Sequence, residues 1–271
     1  MLDDMNWSSY LTTYCLSSSL LCRPLSSGAT MASTLISLGP DIWALPSSLR
    51  MGPIHFPLRM TVMRRNDGKL IVWSPVRMDA EALAAVRALG EVAVIVAPNS
   101  FHHLYLSAAV ALFPGAKVIG VPGHERKRPD VRFDAILDSG TTPERFAELG
   151  LNDGLTVVPV AGCPMVNELV AIHHASGSAV FTDTVFNVHH APNVWSRWFW
   201  QIDGVWKRPA LPRTTVIFVR DRVAFRDSLG RILQHPWQQL IMAHGDVVEV
   251  GGQQPLLDWL AANGGPALLP Q

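Results

Sequence analysis

The chain has 271 residues and 22 basic against 22 acidic side chains, so its formal net charge is zero. Apolar residues make up 48% and charged residues 16%, below the soluble average of about 25% charged. A chain of this length can bury a sizeable core, which excludes a disordered protein, and balanced charge supplies no global field to gather nucleic acid or an anionic membrane. No uncharged apolar stretch of about 18 residues occurs, so no membrane span is expected. Three cysteines, Cys15, Cys22 and Cys163, make no disulfide framework. The first thirty residues lack the basic start and apolar run of a secretory signal. A cytoplasmic protein without nucleic acid or membrane as partner is expected; oligomeric state is left open.

Residues 1–30 are rich in Ser, Thr and Leu without alternation and are expected to be a disordered leader, or an extension upstream of a natural start at Met31. Residues 31–271 are expected to form one domain. Leu58 to Arg64 and Lys69 to Trp73 flank Asn66-Asp67-Gly68 and read as a hairpin. Asp79 caps an expected helix whose Ala80, Leu83, Val86 and Leu89 recur at helical spacing and which Gly90 stops. Val92 to Val96 follows as a buried strand, His103 to Phe113 as a helix and Ala116 to Val121 as a strand. Leu155 to Val160, Glu168 to His173 and Ala179 to Thr182 form a meander, followed by helix Asp221 to Leu233, strand Gln239 to Met242 and helix Pro255 to Ala262. Helices covering two mixed sheets give an α/β or α+β sandwich.

Polar clusters close three of these strands: Pro98-Asn99-Ser100-Phe101-His102-His103, Phe181-Thr182-Asp183-Thr184 and Ala243-His244-Gly245-Asp246. Imidazoles and a carboxylate brought from separate strand ends are ligand chemistry for zinc or non-haem iron. On a strand, adjacent histidines face opposite sides, so at most one of a pair enters a given pocket; His173 and His174 receive no role, and His189 and His190 could line the pocket but are assigned to a surface loop. Asp183 could instead cap a turn. Glu168 could orient a ligand histidine from behind or end a strand in solvent. Trp195, Trp198, Trp200 and Trp206 fall within twelve residues and read as an aromatic loop that walls a pocket, receives a partner or fills the core. Neither Gly-x-Ser-x-Gly nor Gly-x-x-x-x-Gly-Lys occurs, so no serine nucleophile elbow and no nucleotide are expected.

Asp183 in Phe-Thr-Asp-Thr-Val-Phe and His244 in Ala-His-Gly-Asp resemble the "F-T-G-D-x-x-F" and late "G-H-G" ligand segments of the metallo-β-lactamase-fold superfamily, in the same order. Asp67 to Val76, Ala97 to Leu106, Thr182 to Asn187 and Ala243 to Asp246 resemble the motifs of a divergent, functionally uncharacterised branch of it. The resemblance spans about Trp43 to Trp259 and implies an αββα sandwich, two mixed β-sheets flanked by helices. Against "H-x-H-x-D-H", Pro98 and Ser100 stand at the first two histidines, His102 at the aspartate and His103 at the last histidine. Cys163 stands where "P-G-H-T" has its ligand.

The resemblance therefore implies a degenerate, mononuclear zinc or iron site of His102, His103, Asp183 and His244, with Cys163 a weaker ligand and Glu168, Asn99, Trp195 and Trp198 behind or around it. Such an ion would acidify a water for attack on an ester, thioester or amide-like small molecule. The alternative is a non-catalytic protein of this fold that binds a small ligand or partner through the Trp-rich loop.

Overall fold

The computed structural model describes residues 34–264; the leader of residues 1–30 and the alternative start at Met31 lie outside the described residues. Side-chain parity along the strands sorts the core into layers. In the strand Leu70–Trp73 (β4), Ile71 and Trp73 face one way and Leu70 and Val72 the other, all fully buried. A strand with two apolar faces must be covered on both.

The first sheet has seven strands in chain order: β1 (Ile36–Gly39), β2 (Ile42–Met51), β3 (Ile54–Arg64), β4, β5 (Val92–Val96), β6 (Lys117–Gly120) and β7 (Ala135–Ile136). The β1 to β4 pairings are antiparallel; those from β4 to β7 are parallel. Its outer face packs on helices α1 (Ala80–Leu89) and α2 (Leu106–Leu112) through Ala82, Val86, Leu106 and Ala109. Helix α1 starts where the Asp79 carboxylate accepts from the Ala82 amide and ends at Gly90.

Two short helices, α3 (His124–Lys127) and α4 (Pro143–Glu148), lead to the second sheet. It holds β8 (Leu155–Pro159), β9 (Leu169–His173), β10 (Ser178–Phe181) and β11 (Gln239–Met242), in the order β11-β10-β9-β8. Its β10–β11 pair is parallel, so a crossover must join them. That crossover carries α5 (Val194–Asp203), α6 (Arg213–Ile217) and α7 (Arg222–Leu233). Helices α7 and α8 (Gln254–Ala262) cover the outer face through Phe225, Leu229, Ile232, Leu256 and Leu260. Ile71, Trp73, Val94 and Val96 of the first sheet meet Val157, Ala171, Val180 and Ile241 of the second, giving the expected αββα sandwich.

Strands β1 and β2 had no counterpart in the sequence reading, because Pro46-Ser47-Ser48 interrupts the alternation of β2. Strand β3 begins at Ile54 rather than Leu58; Pro57 is accommodated opposite Ser48. The helix expected from His103 begins at Leu106, because turns fill residues 102–105. The Trp-rich segment is a helix, not a loop: the Asn193 side chain caps it by accepting from the Ser196 amide, and Gly204 closes it at φ +85°. Among the described residues no helix is long and apolar enough to cross a membrane.

Candidate metal centre

Three strand ends meet at one edge of the sandwich. His102 follows β5, Asp183 follows β10 and His244 follows β11. Each directs one atom to a common point: His244 Nε2 lies 2.9 Å and His102 Nε2 3.5 Å from Asp183 Oδ1, and the two Nε2 atoms lie 3.1 Å apart. Asp183 and His244 are buried, and His102 is largely so.

The outer nitrogens decide what the inner ones offer. His244 Nδ1 is 2.7 Å from the Pro57 carbonyl, which can only accept, so Nδ1 carries the hydrogen and the neutral ring presents a lone pair at Nε2. His102 Nδ1 is 2.6 Å from Ser74 Oγ, a hydroxyl that can accept in the same way. Two imidazole lone pairs and a carboxylate oxygen therefore converge with nothing but one another to bind, an arrangement that calls for a cation. Ligands held tetrahedrally at 2.0–2.1 Å are about 3.3 Å apart, so distances of 2.9, 3.1 and 3.5 Å fit three corners of a zinc-like site with the fourth open. Burial by itself raises the Asp183 carboxyl, but positive charge at His102 and His244 outweighs it and holds the group well below the usual carboxylate range, the same sense in which a cation between the three would act.

Asn99 ties two of these ends together. Its Nδ2 donates to Asp183 Oδ2 and to Thr182 Oγ1, both at 2.7 Å, while its Oδ1 accepts from the Phe101 and His102 amides. Behind it, the buried Glu168 carboxylate accepts from the amides of Thr182, Asp183 and Thr184 and from the Thr184 hydroxyl. Burial and the Asp183 charge push Glu168 up, and those donors oppose the shift. Glu168 thus fixes the backbone that carries the aspartate, whereas the sequence suggested a histidine as the group it orients.

His103 does not join the other three. Its ring turns to His124, centroids 5.3 Å apart, and its Nδ1 has no hydrogen-bond partner. Successive residues of the turn point apart, so only His102 reaches the centre. Cys163 is also apart: its buried Sγ contacts the Thr215 carbonyl at 3.9 Å, and burial pushes the thiol up to about 11, away from the thiolate a metal needs. Trp195 and Trp198 stand on the outward side of α5, 60% and 59% exposed, while Trp200 points inward. Phe56 and Phe186 lie against the His244 ring at 6.0 and 4.4 Å, and Trp200 packs on both. Sequence reasoning gave no role to Ser74, Pro57, Phe56 or Phe186; Ser74 and Phe186 lay within quoted motifs, but a carbonyl's role has no sequence signal.

Among known proteins, a family model described as a domain of unknown function, DUF4336, matches residues 40–124. No curated protein matches the chain. Solved structures do match. A metallo-β-lactamase from Erythrobacter litoralis with β-mercaptoethanol in its active site aligns with a TM-score of 0.58 at 14% identity, over 89% of this chain and 99% of that one. A metallo-β-lactamase from Pontibacter korlensis aligns with a TM-score of 0.55 at 14% identity, over 84% and 97%. The mono-zinc form of the metallo-β-lactamase FIM-1 from Pseudomonas aeruginosa aligns with a TM-score of 0.53 at 13% identity, over 83% and 95%. At such identities the likeness carries architecture and not reaction. The chain has the metallo-β-lactamase fold.

Proposed function

We propose that the chain is a metal-dependent hydrolase whose His102, Asp183 and His244 hold a single zinc or iron ion, and whose substrate is a small molecule with an ester, thioester or amide-like carbonyl. The observation that carries this reading is the convergence of His102 Nε2, His244 Nε2 and Asp183 Oδ1 within 3.5 Å, with both outer imidazole nitrogens already engaged. When bound, such an ion supplies a Lewis acid and lowers the pKa of water to near ~7.

The chain's own residues supply positioning. Ser74 and the Pro57 carbonyl fix the two imidazoles, and Asn99 and Glu168 fix the aspartate. Phe56 and Phe186 shield the inner face of His244 from water, which strengthens electrostatic interactions at its Nε2. The fold neighbour FIM-1 has a mono-zinc form, which supports one ion as a workable complement for the fold.

The second reading, a non-catalytic binding protein, draws on Pro98 and Ser100 at the two lost histidine positions and on the buried, protonated Cys163. Metal analysis of protein purified without a polyhistidine tag, beside His244→Ala, separates the two. The hydrolase reading expects about one ion per wild-type chain and a large loss in the variant. A metal-free wild type that shows no thermal shift with zinc, iron or manganese at neutral pH would leave the binding-protein reading in its place.

A further inference from the structure

Helix α5 is apolar on a side that no other part of the described residues covers. Val194, Trp195, Trp198 and Ile202 are 70%, 60%, 59% and 49% exposed, although Ser196, Trp200 and Asp203 on the opposite side are buried. At about 100° per residue the four exposed side chains fall within one arc of about 100°, bordered by Arg197 and Gln201. The turn between β2 and β3 packs under the N-terminal end of the helix, on its buried side. The Asn193 side chain donates to the Pro53 carbonyl, Ser196 Oγ accepts from the His55 amide, and the neighbouring Met51 is 38% exposed. Two exposed tryptophans with aliphatic neighbours exceed the scattered apolar residues normal on a surface.

The charge around this face is of one sign. Between Thr184 and Arg220 the chain carries Arg197, Lys207, Arg208, Arg213 and Arg220, all exposed, and one acid, Asp203. Asp203 is buried and accepts from the Thr214 amide and hydroxyl; its charge interacts with that of Arg213 and leaves the other four cations without an acid in this segment. None of the five cations is in an ion pair among the described residues. Arg208 and Arg213 donate to the Gly204 and Ile202 carbonyls, which gathers positive charge at the C-terminal end of the apolar arc. The zero net charge of the whole chain conceals this local excess.

We propose that this face of α5 docks on an anionic lipid surface, with Val194, Trp195, Trp198 and Ile202 entering the headgroup boundary and the surrounding arginines and lysine meeting lipid phosphates and carboxylates. Charge decides among occupants. A second copy related by two-fold symmetry would set the same basic rim against itself, and a nucleic-acid strand stacked on Trp195 and Trp198 would leave Val194 and Ile202 without an apolar partner.

The test uses the full-length chain and vesicles of phosphatidylcholine with and without about one third phosphatidylserine. Flotation should recover the protein with anionic vesicles, weaken as salt is raised, and fail with phosphatidylcholine alone. Trp195→Ser/Trp198→Ser should weaken binding at least about tenfold, and Arg208→Gln/Arg213→Gln about fivefold per charge removed, with neither pair changing the melting temperature by more than about 2 °C. Absence of binding to anionic vesicles at low salt overturns the proposal, as does retained binding by the tryptophan variant. A wild-type dimer that the tryptophan variant converts to monomer assigns the face to a second copy instead. A tryptophan variant melting far below wild type assigns it to a segment of the chain itself, and preference for a single-stranded oligonucleotide over vesicles assigns it to nucleic acid.

Discussion

Replacing Asp183 by Asn separates a metal ligand from a structural cap, because the structure gives the two roles opposite consequences. Asp183 Oδ2 accepts from Asn99 Nδ2, and Oδ1 faces the Nε2 atoms of His244 and His102 at 2.9 and 3.5 Å. An asparagine keeps its oxygen on Asn99 and turns its amide toward the two imidazole lone pairs. At pH 8, where free imidazole is neutral, the metal-free variant exchanges a cluster of acceptors for a donor among acceptors, a gain of about 0.5–1.5 kcal/mol. With about 2–4 °C per kcal/mol for a domain of this size, its melting temperature should equal or exceed that of metal-free wild type by up to about 5 °C. Zinc at about one hundred times its dissociation constant should stabilise wild type by about 2.7 kcal/mol, or roughly 5–10 °C. The variant should shift by less than about 2 °C. Dye-monitored melting of chelator-treated, dialysed protein across a zinc titration reads both quantities. A metal-free variant several kcal/mol less stable than wild type would mean that the carboxylate only holds the 182–184 turn. An undiminished zinc shift would mean that the ion binds elsewhere.

Gly245→Ala should destabilise by about 3 kcal/mol or more, since its backbone is at φ +113° and an added Cβ would lie 1.9 Å from the Asn187 carbonyl oxygen. Chemical denaturation reads the loss, and because His244 is the adjacent residue, zinc affinity should fall with it. His103 is held down to about 3 by burial and then by His124, Lys127 and Arg128, and His124 to about 4 by burial and then by Lys127 and Arg128. Their neutral forms belong to the native state, so stability is complete above about pH 6.5 and is lost as pH falls toward 4, by up to about 1.4 kcal/mol per pH unit for each group. His124→Asn, whose side-chain oxygen can still accept from the Val121 amide, should flatten urea-denaturation stability between pH 6.5 and 5; an unchanged slope would refute the assignment. Cys163 should resist thiol reagents at pH 8 until the protein unfolds, as peptide mass mapping would reveal, because its thiol is buried and titrates near 11.

Elements whose sequence carried both a period and a punctuation mark were legible. Helix α1 had its Asp79 cap, its spaced apolar positions and Gly90, and β11 stands at Gln239–Met242 as expected. Strand β2 was not legible, because its stability comes from a ten-residue register with β3 rather than from its own Pro46-Ser47-Ser48 composition. At the site, the strand ends pointed to His102, Asp183 and His244, but alignment alone could not separate His102 from His103. That choice depends on the turn that Asn99 makes by accepting from the Phe101 and His102 amides, a local hydrogen-bond preference of Asn. The groups behind the ligands were less visible still. The Pro57 carbonyl acts through the backbone, and its contact with His244 exists only because β3 crosses β11 between the sheets.

The same contacts bear on the number of ions that the proposed site would hold. A second ion next to the first would need an additional donor on the Asn99 side of Asp183. There, Oδ2 already accepts from Asn99 Nδ2, a donor that repels cations. His103, one residue beyond His102, faces His124 beside Lys127 and Arg128, whose charges lower the affinity of its imidazole for any cation. Cys163 is protonated against the Thr215 carbonyl. Among the described residues, His102, Asp183 and His244 are the one group of His, Cys, Asp and Glu side chains arranged to share an ion. Hydrogen bonds occupy that side of Asp183, and through them Asn99 holds the β5 and β10 ends at a fixed separation. Removing Asn99 should therefore loosen the single site as well as the fold around it, lowering metal affinity even though Asn99 offers the ion no ligand atom of its own.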